Sequence, residues 1–310
     1  MIDICFIILN YNLYEETLLC VESIHKKIDT DNYKIIIVDN ASPNGAGEIL
    51  KNKFRTDSTI EVVLLPNNTG FARGNNVGIE KARKEGATYI CCINDDAELI
   101  SDNFFRVVHE KYQKFQPAVI GPKVINANGE VDEFYHPLRT IEEYEQMLHL
   151  LDTETYGQYK KRKKLNLKFK LRQIVDSHSF SRKIFQTLKF KISGVDPYAR
   201  REPKYTEDTM DLVMVGCCVV FTPVFFEYLS GFDESTFLYY EEEFLAASLF
   251  MFNLHSLYTP EIEIYHKGGI STETVTGEAD YKKWLFRRKT FSESLKTFVN
   301  FLNEHKGEIY

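Results

Sequence analysis

The sequence predicts an α/β fold: a Rossmann-like, mostly parallel central sheet flanked by helices, with a basic insertion and C-terminal helices added to it. Three observations carry that expectation. Apolar runs alternate with segments of helical periodicity over roughly the first hundred residues. The connections between them are short. Two of the apolar runs, residues 34–40 and 87–96, empty directly into acidic residues.

Residues 2–9 are almost continuously apolar, as expected of a strand buried on both faces. Residues 17–24 have helical spacing, 34–40 form a second strand ending at Asp39, and 48–54 read as a helix. A third strand is expected at 60–65, a helix at 75–85 and a fourth strand at 89–93. Open sheets of this kind bind ligands at the carboxyl edge of the strands. Residues 121–129 read as a strand entering a hairpin turn at Asn128-Gly129. Residues 210–221 read as a buried strand pair or one bent strand. A C-terminal amphipathic helix carries Phe291, Leu295, Phe298 and Leu302 on one face. The division expected is 1–135, an insertion at 136–205, and 206–310.

At 310 residues the chain can bury a substantial core. Its net charge of −7 argues against generic nucleic-acid binding. The six cysteines include no C-x-x-C pair and read as reduced core residues, neither a disulfide framework nor a zinc site. There is no basic leader before the first strand and no apolar stretch of membrane-spanning length. A cytoplasmic protein is expected, with peripheral contact at the inner face of the cell membrane as an option.

Four segments could carry chemistry. Asn94-Asp95-Asp96 follows the fourth strand, and two adjacent carboxylates repel unless a cation or hydrogen-bond donors balance them. Oxygen ligands on such a loop suit Mg2+ or Mn2+ brought in with a diphosphate; the alternative is an Asp pair that caps the helix starting near Ser101. Asp39 could accept a hydrogen bond from a ribose hydroxyl or base N–H, or cap the next helix. The loop around Gly70, Gly74 and Gly78 fits neither dinucleotide nor P-loop spacing, but it offers Arg73, Asn75 and Asn76 at a helix start as an anion cradle. Close packing of helix on sheet is the other use for those glycines. Glu241, Glu242 and Glu243 open a helix after an aromatic run, where one could be a general base of raised pKa or all could complement the helix dipole. His266 precedes a Gly-Gly turn and could bind a metal or a diphosphate oxygen.

Taken in order, Ile8-Leu-Asn-Tyr-Asn, Val38-Asp-Asn-Ala-Ser, Asn68-Thr-Gly-Phe-Ala-Arg-Gly-Asn-Asn-Val-Gly-Ile, Asn94-Asp-Asp-Ala-Glu-Leu, Gly121-Pro-Lys-Val, Val215-Gly-Cys, Gly231-Phe-Asp-Glu, Tyr240-Glu-Glu, His266 with Gly268-Gly-Ile-Ser, and Phe286-Arg-Arg resemble the family 2 glycosyltransferases of GT-A fold, and within them the rhamnosyltransferase-like branch. The resemblance implies an inverting, metal-dependent transfer of a sugar from a UDP- or dTDP-linked donor to a glycan or lipid-linked hydroxyl, in bacterial surface polysaccharide synthesis. It implies that residues 1–135 bind the nucleotide-sugar and 206–310 form the acceptor side. Asp39 would contact base or ribose with Tyr11 and Arg73 nearby, and Asp95 would lie in the diphosphate motif. Asp96 would be the metal ligand with His266 in support, and Glu242 would stand at the general-base position. The family often has Glu-Asp where this chain has Glu241-Glu242, and an Asp where Phe244 stands. Glu241 and Glu243 therefore stay open as the base.

Between Lys160 and Arg172 there are eight Lys or Arg and no acid, with Leu165, Leu167, Phe169 and Leu171 alternating against polar residues. Such a run can meet anionic lipid headgroups beside a lipid-linked acceptor, or be a solvated surface loop. A sugar nucleotidyltransferase is a rival, but it calls for a Gly- and Arg-rich loop where this chain has Asn10-Tyr-Asn-Leu. A non-catalytic nucleotide-sugar-binding protein is the other.

Overall fold

The structure, a computed structural model, describes residues 2–127, 129–131, 135–161, 206–268 and 280–310. The first apolar run is strand β1 (Ile2–Asn10), followed by helix α1 (Tyr14–Lys27), β2 (Tyr33–Asp39), α2 (Ala46–Phe54), β3 (Ile60–Leu64), α3 (Phe71–Lys84) and β4 (Ala87–Asn94). These four strands pair in parallel in the order β3-β2-β1-β4, as the alternation of strand and helix dictates. Ile4 to Ile8 of β1 are wholly buried between the helix layers, so truncating any one of these isoleucines to Ala should cost roughly 2–5 kcal/mol. The register pairs Asn10 with Asp39 and Leu9 with Asn94, so the polar strand ends finish level at one edge.

The remaining elements complete the sheet and a second core. They are β5 (Ala97–Leu99), α4 (Phe104–Phe115), β6 (Val119–Asn126), β7 (His136–Pro137), α5 (Ile141–Thr153), β8 (Thr209–Met210), β9 (Leu212–Val213), β10 (Cys218–Phe221), α6 (Phe225–Tyr228), α7 (Glu241–Met251), β11 (Ser256–His266), α8 (Asp280–Glu304) and α9 (Lys306–Ile309). The main sheet runs β3-β2-β1-β4-β10-β6-β11-β5, with β8 on β11 and a separate pair β7-β9. β10 is antiparallel to both β4 and β6, which makes the sheet mixed beyond its four parallel strands. A second apolar core forms where α5, α7 and α8 meet, with Tyr144 and Phe244 5.1 and 4.8 Å from Phe298. Phe291, Leu295, Phe298 and Leu302 all take part, as their helical spacing requires. Of the expected Asn128-Gly129 turn, Asn128 lies outside the described residues; Gly129 has φ 73° and donates its N–H to Asn126 O at 2.9 Å, and Ile125 bridges Val131 in antiparallel fashion.

Several expectations change. Residues 210–221, expected as a strand pair or one bent strand, are broken rather than bent: the chain turns at Asp211, with φ 60°, and again over Val215–Cys217, leaving β9 and β10 as separate short strands. α3 starts at Phe71 rather than near Asn75, because Gly70 makes the turn at φ 89° and Gly74 sits inside the helix. A Cβ on Gly74 or Gly78 would lie 2.5 or 2.4 Å from Leu9 or Ile7, so both glycines serve close helix–sheet packing. α4 begins at Phe104, and its first turn is capped from outside by Asp29, which accepts from the N–H groups of Phe105 and Arg106 at 2.7 and 3.1 Å. Asp95 and Asp96 therefore do not cap it. All six cysteines are buried thiols. Of the basic run, only Lys160 and Lys161 fall within the described residues; 162–205 lie outside them.

Candidate active site

The carboxyl ends of β1, β2 and β4 are locked together by polar side chains. Asp39 is buried at the end of β2, and its carboxylate accepts from Asn10 Nδ2 at 2.5 Å, Ser42 Oγ at 2.5 Å and the Ser42 N–H at 3.0 Å. Gly47 leaves it room, since a Cβ there would lie 2.5 Å from the carboxyl group. Its neighbour Asn40 holds the next loop: its Oδ1 accepts from the Thr69 N–H at 2.8 Å and its Nδ2 donates to Gly70 O at 3.1 Å. Gly70 is bounded on the other side by Phe237, whose carbonyl accepts from the Phe71 N–H at 2.9 Å and stands 2.3 Å from where a Gly70 Cβ would be.

The acidic pair lies one strand over. Asp95 and Asp96 are 4% and 6% exposed. Burial, and then the charge of Asp96, push the Asp95 carboxyl well above the usual carboxylate range, against a weak pull from the Tyr11 N–H at 3.4 Å. Antiparallel pairing of β5 with β11 sets His266 opposite Ala97. That register brings His266 Nε2 to 3.2 Å from Asp96 Oδ1, while Asp96 O accepts from the Lys267 N–H at 3.1 Å.

The glutamate triplet opens α7. Two successive left-handed residues, Tyr239 at φ 75° and Tyr240 at φ 73°, turn the chain into it. Glu241 is 3% exposed, its Oε1 has no hydrogen-bond partner, and burial followed by the neighbouring Glu242 charge lifts its pKa to about 8. Glu242 is also raised by burial, opposed by N–H donors that favour its charged form. One of these is the Gly216 N–H, which donates to Glu242 Oε1 at 3.1 Å. Glu243 turns away toward His136, 4.0 Å distant, and is likewise lifted to about 8 by burial and by Glu242. The Val215–Cys217 turn links the two acidic groups: Cys217 O accepts from the Asn94 N–H at 2.9 Å, and Gly216 holds Glu242.

A cleft of about 540 Å³ opens between them. Tyr11, Asp95, Asp96, Glu241, Glu242 and His266 line it. Asp39, Arg73 and Asn75 do not. Asp39 stands behind the wall with both oxygens engaged. The Arg73 guanidinium is drawn outward to Glu234, at 2.9 Å from its carbonyl and 3.5 Å from its carboxylate. Asn75 is buried and donates back to Phe71 O at 3.0 Å. Asn76, beside it, clamps the 231–234 loop through the N–H and carbonyl of Phe232, at 2.8 and 2.9 Å. Asn40, Gly216 and Phe237 reach the wall with no role foreseen from sequence. The available signals were a second polar residue after Asp39 and a lone glycine inside an apolar run.

The model of the family described as Glycosyl transferase family 2 matches residues 5–188. The chain belongs to this family. It is 28% identical to Glycosyltransferase GlyG of Streptococcus pneumoniae serotype 4 (strain ATCC BAA-334 / TIGR4) over 125 residues, 40% of this chain and 40% of that protein. It is 28% identical to Uncharacterized glycosyltransferase EpsJ of Bacillus subtilis (strain 168) over 102 residues, 33% of this chain and 28% of that protein. The chain thus matches less than half the length of each of these relatives. Among solved structures, S. aureus TarS 1-349 superposes with TM-score 0.50 at 13% identity, covering 94% of this chain and 73% of that one. GalNAc-T7 with UDP, GalNAc and Mn2+ gives TM-score 0.54 at 13% identity, covering 86% and 43%. These likenesses are of fold: a GT-A-like α/β architecture with a mixed central sheet.

Proposed function

We propose that this glycosyltransferase-family chain is an inverting transferase that moves a sugar from a nucleoside diphosphate donor, UDP- or dTDP-linked, to a hydroxyl of a glycan or lipid-linked saccharide. We place it in the rhamnosyltransferase-like branch and in bacterial surface polysaccharide assembly, with residues 1–135 on the donor side and 206–310 on the acceptor side. One observation carries the reading. A single cleft holds the Asp95–Asp96–His266 group and the Glu241–Glu242 pair, joined through the Val215–Cys217 turn.

Tyr11, Asn40 and Asn68 line the end of the cleft that would receive base and ribose, braced from behind by Asp39. Asp96 and His266 would hold Mn2+ or Mg2+. A carboxylate and an imidazole 3.2 Å apart, beside a second buried acid, fit such a cation. Among the described residues no three His, Cys, Asp or Glu cluster as a metal site, so donor oxygens would complete the coordination. When bound, the cation would offset charge on the departing diphosphate. Across the cleft, Glu242 is the base in this reading. Its Gly216 contact favours the carboxylate, whereas Glu241, with a pKa of about 8, is mostly protonated at neutral pH. Glu242 would take the proton of the acceptor hydroxyl as its oxygen attacks the anomeric carbon opposite the diphosphate.

Calorimetric titration with UDP, dTDP and GDP, each with and without Mn2+, tests the donor half. Metal-dependent binding of one nucleotide, lost in Asp96→Ala, is expected; absence of binding to all three would overturn it. Glu242→Gln should then retain nucleotide binding while kcat falls by about 10²–10⁴-fold. Tight binding with no turnover across a broad acceptor panel would instead favour a protein that only binds.

A further inference from the structure

The chain is acidic overall, at −7, yet after its first residue, Asp280, α8 runs Tyr281-Lys-Lys-Trp-Leu-Phe-Arg-Arg-Lys289, with five cations and no further acid. Trp284 is buried in a cluster of rings, its centroid 5.3 Å from Tyr156, 6.2 Å from Tyr159 and 5.8 Å from Tyr281. That cluster ties α8 to the helical residues 156–161, which add the exposed Lys160 and Lys161. Arg288 is spent inward: its Nε donates to Leu151 O at 2.8 Å, and its guanidinium lies 5.2 Å from the Trp284 ring centroid. What remains outside is a ridge. Tyr281 and Leu285, one helical turn apart, are 50% and 46% exposed; exposed Lys282 and Lys289, the latter 3.9 Å from Glu293, share their side of α8, and exposed Lys160 and Lys161 stand on the neighbouring segment. The next residue along, Phe286, lines the cleft, so the ridge stands at its mouth.

We propose that this face docks on an anionic lipid bilayer. Tyr281 and Leu285 enter the boundary between headgroups and acyl chains, and the surrounding lysines meet lipid phosphate. The pattern is that of an interfacial helix: aliphatic and aromatic side chains at the tip, long cationic chains that snorkel around them. Tyr and Trp favour the headgroup level, and each Lys or Arg at an anionic surface adds attraction. A saccharide platform would need an open ring face, and the Trp284 ring is already covered by the three tyrosines and Arg288. No helix among the described residues is long and apolar enough to cross a membrane, so attachment here lies on the surface. It would hold the cleft beside a lipid-linked acceptor, but it does not depend on the transfer reading.

The test is co-sedimentation of the full chain with vesicles of phosphatidylcholine alone and of phosphatidylcholine with phosphatidylglycerol. Binding to the anionic vesicles only, weakened by salt, is expected. Lys282→Glu combined with Lys289→Glu should lower partitioning by more than the roughly fivefold expected per cation lost, and Leu285→Glu should lower it as well. Circular dichroism and nucleotide titration of the same variants establish that fold and donor cleft are intact. A parallel variant neutralising Arg162, Lys163 and Lys164 reads the neighbouring basic run separately. Wild-type protein that ignores anionic vesicles, binds neutral ones equally, or loses nothing in the α8 variants overturns the proposal. Failure of nucleotide binding with vesicle binding intact would count against the transfer reading alone.

Discussion

The carboxylate assigned as base depends on an absence, the missing side chain of Gly216, and restoring one carbon there is a sharp perturbation. A Cβ at position 216 would lie 2.1 Å from Glu242 Oε1 and 2.8 Å from its Cδ. To reach ordinary contact the carboxylate must retreat by roughly 1 Å or more, surrendering the Gly216 N–H bond. Gly216 has no positive φ, so alanine fits the backbone, and the obstacle is the far end of a flexible side chain. The fold should therefore tolerate Gly216→Ala with a melting change of no more than a few degrees, while the base leaves its place. Misplacing a reacting group by about 1 Å can cost on the order of 10² in rate. Steady-state assays should show kcat down by about that factor, with the nucleotide Kd by calorimetry unchanged. The readout separates from an unfolded variant because binding survives. Unaltered kcat in a folded Gly216→Ala protein would refute the role given to Glu242 and its cradle.

Two further outcomes follow from the same geometry. Gly70→Ala meets the Phe237 carbonyl at 2.3 Å and a φ of 89°, so backbone rather than side chain must move; a loss of about 1–3 kcal/mol in chemical denaturation is expected, with weaker nucleotide binding. Glu241 titrates at about 8 when folded, against an ordinary value of 4.5, so its folded state binds the extra proton. Stability from this group is complete below about pH 4.5 and is lost as pH rises through 8. Glu241→Gln should flatten the fall in melting temperature across that window, and an unchanged slope would remove Glu241 as its source.

Strand and helix order, the acidic edge and the apolar face of α8 were legible because each is a local pattern. Buried parallel strands read as apolar runs, and a strand ending in Asp39 or Asn94-Asp95-Asp96 announces its polar edge within a few residues. The cap of α4 was not legible, since Asp29 reaches it from a distant loop while Asp95 and Asp96 lie next to it in sequence. The partner of Arg73 was not legible for a related reason. The position of Arg73 at a helix start suggested an anion cradle, but Glu234, 161 residues away, draws the guanidinium out of the cleft. The position of the break at Val215–Cys217 was not legible because apolar residues on both sides of Gly216 satisfy a strand period, and only the approach of Glu242 shows why the glycine is needed. Glu241, Glu242 and Glu243 differ in nothing local; which faces the cleft follows from the turn before them.

That turn shows how the second core bears on the chemistry. Two consecutive tyrosines in the left-handed region store strain of order 1 kcal/mol or more each, and persist only if their surroundings impose it. The surroundings belong to α8. Ser294 Oγ donates to Leu238 O at 2.8 Å, the Tyr239 ring stacks on Phe291 at 4.0 Å, and Tyr240 packs against Phe298. The C-terminal helix is thus the clamp that sets the first turn of α7, and through it the direction of Glu241 and Glu242. The same helix sends Phe286 to the cleft wall. Phe291 is not in the cleft wall, so Phe291→Ala would act there only through its stacking partner Tyr239, which is. Relaxation of Tyr239 out of its strained conformation should then reorient the glutamates, so that kcat falls more than the stability lost with one half-buried ring would account for.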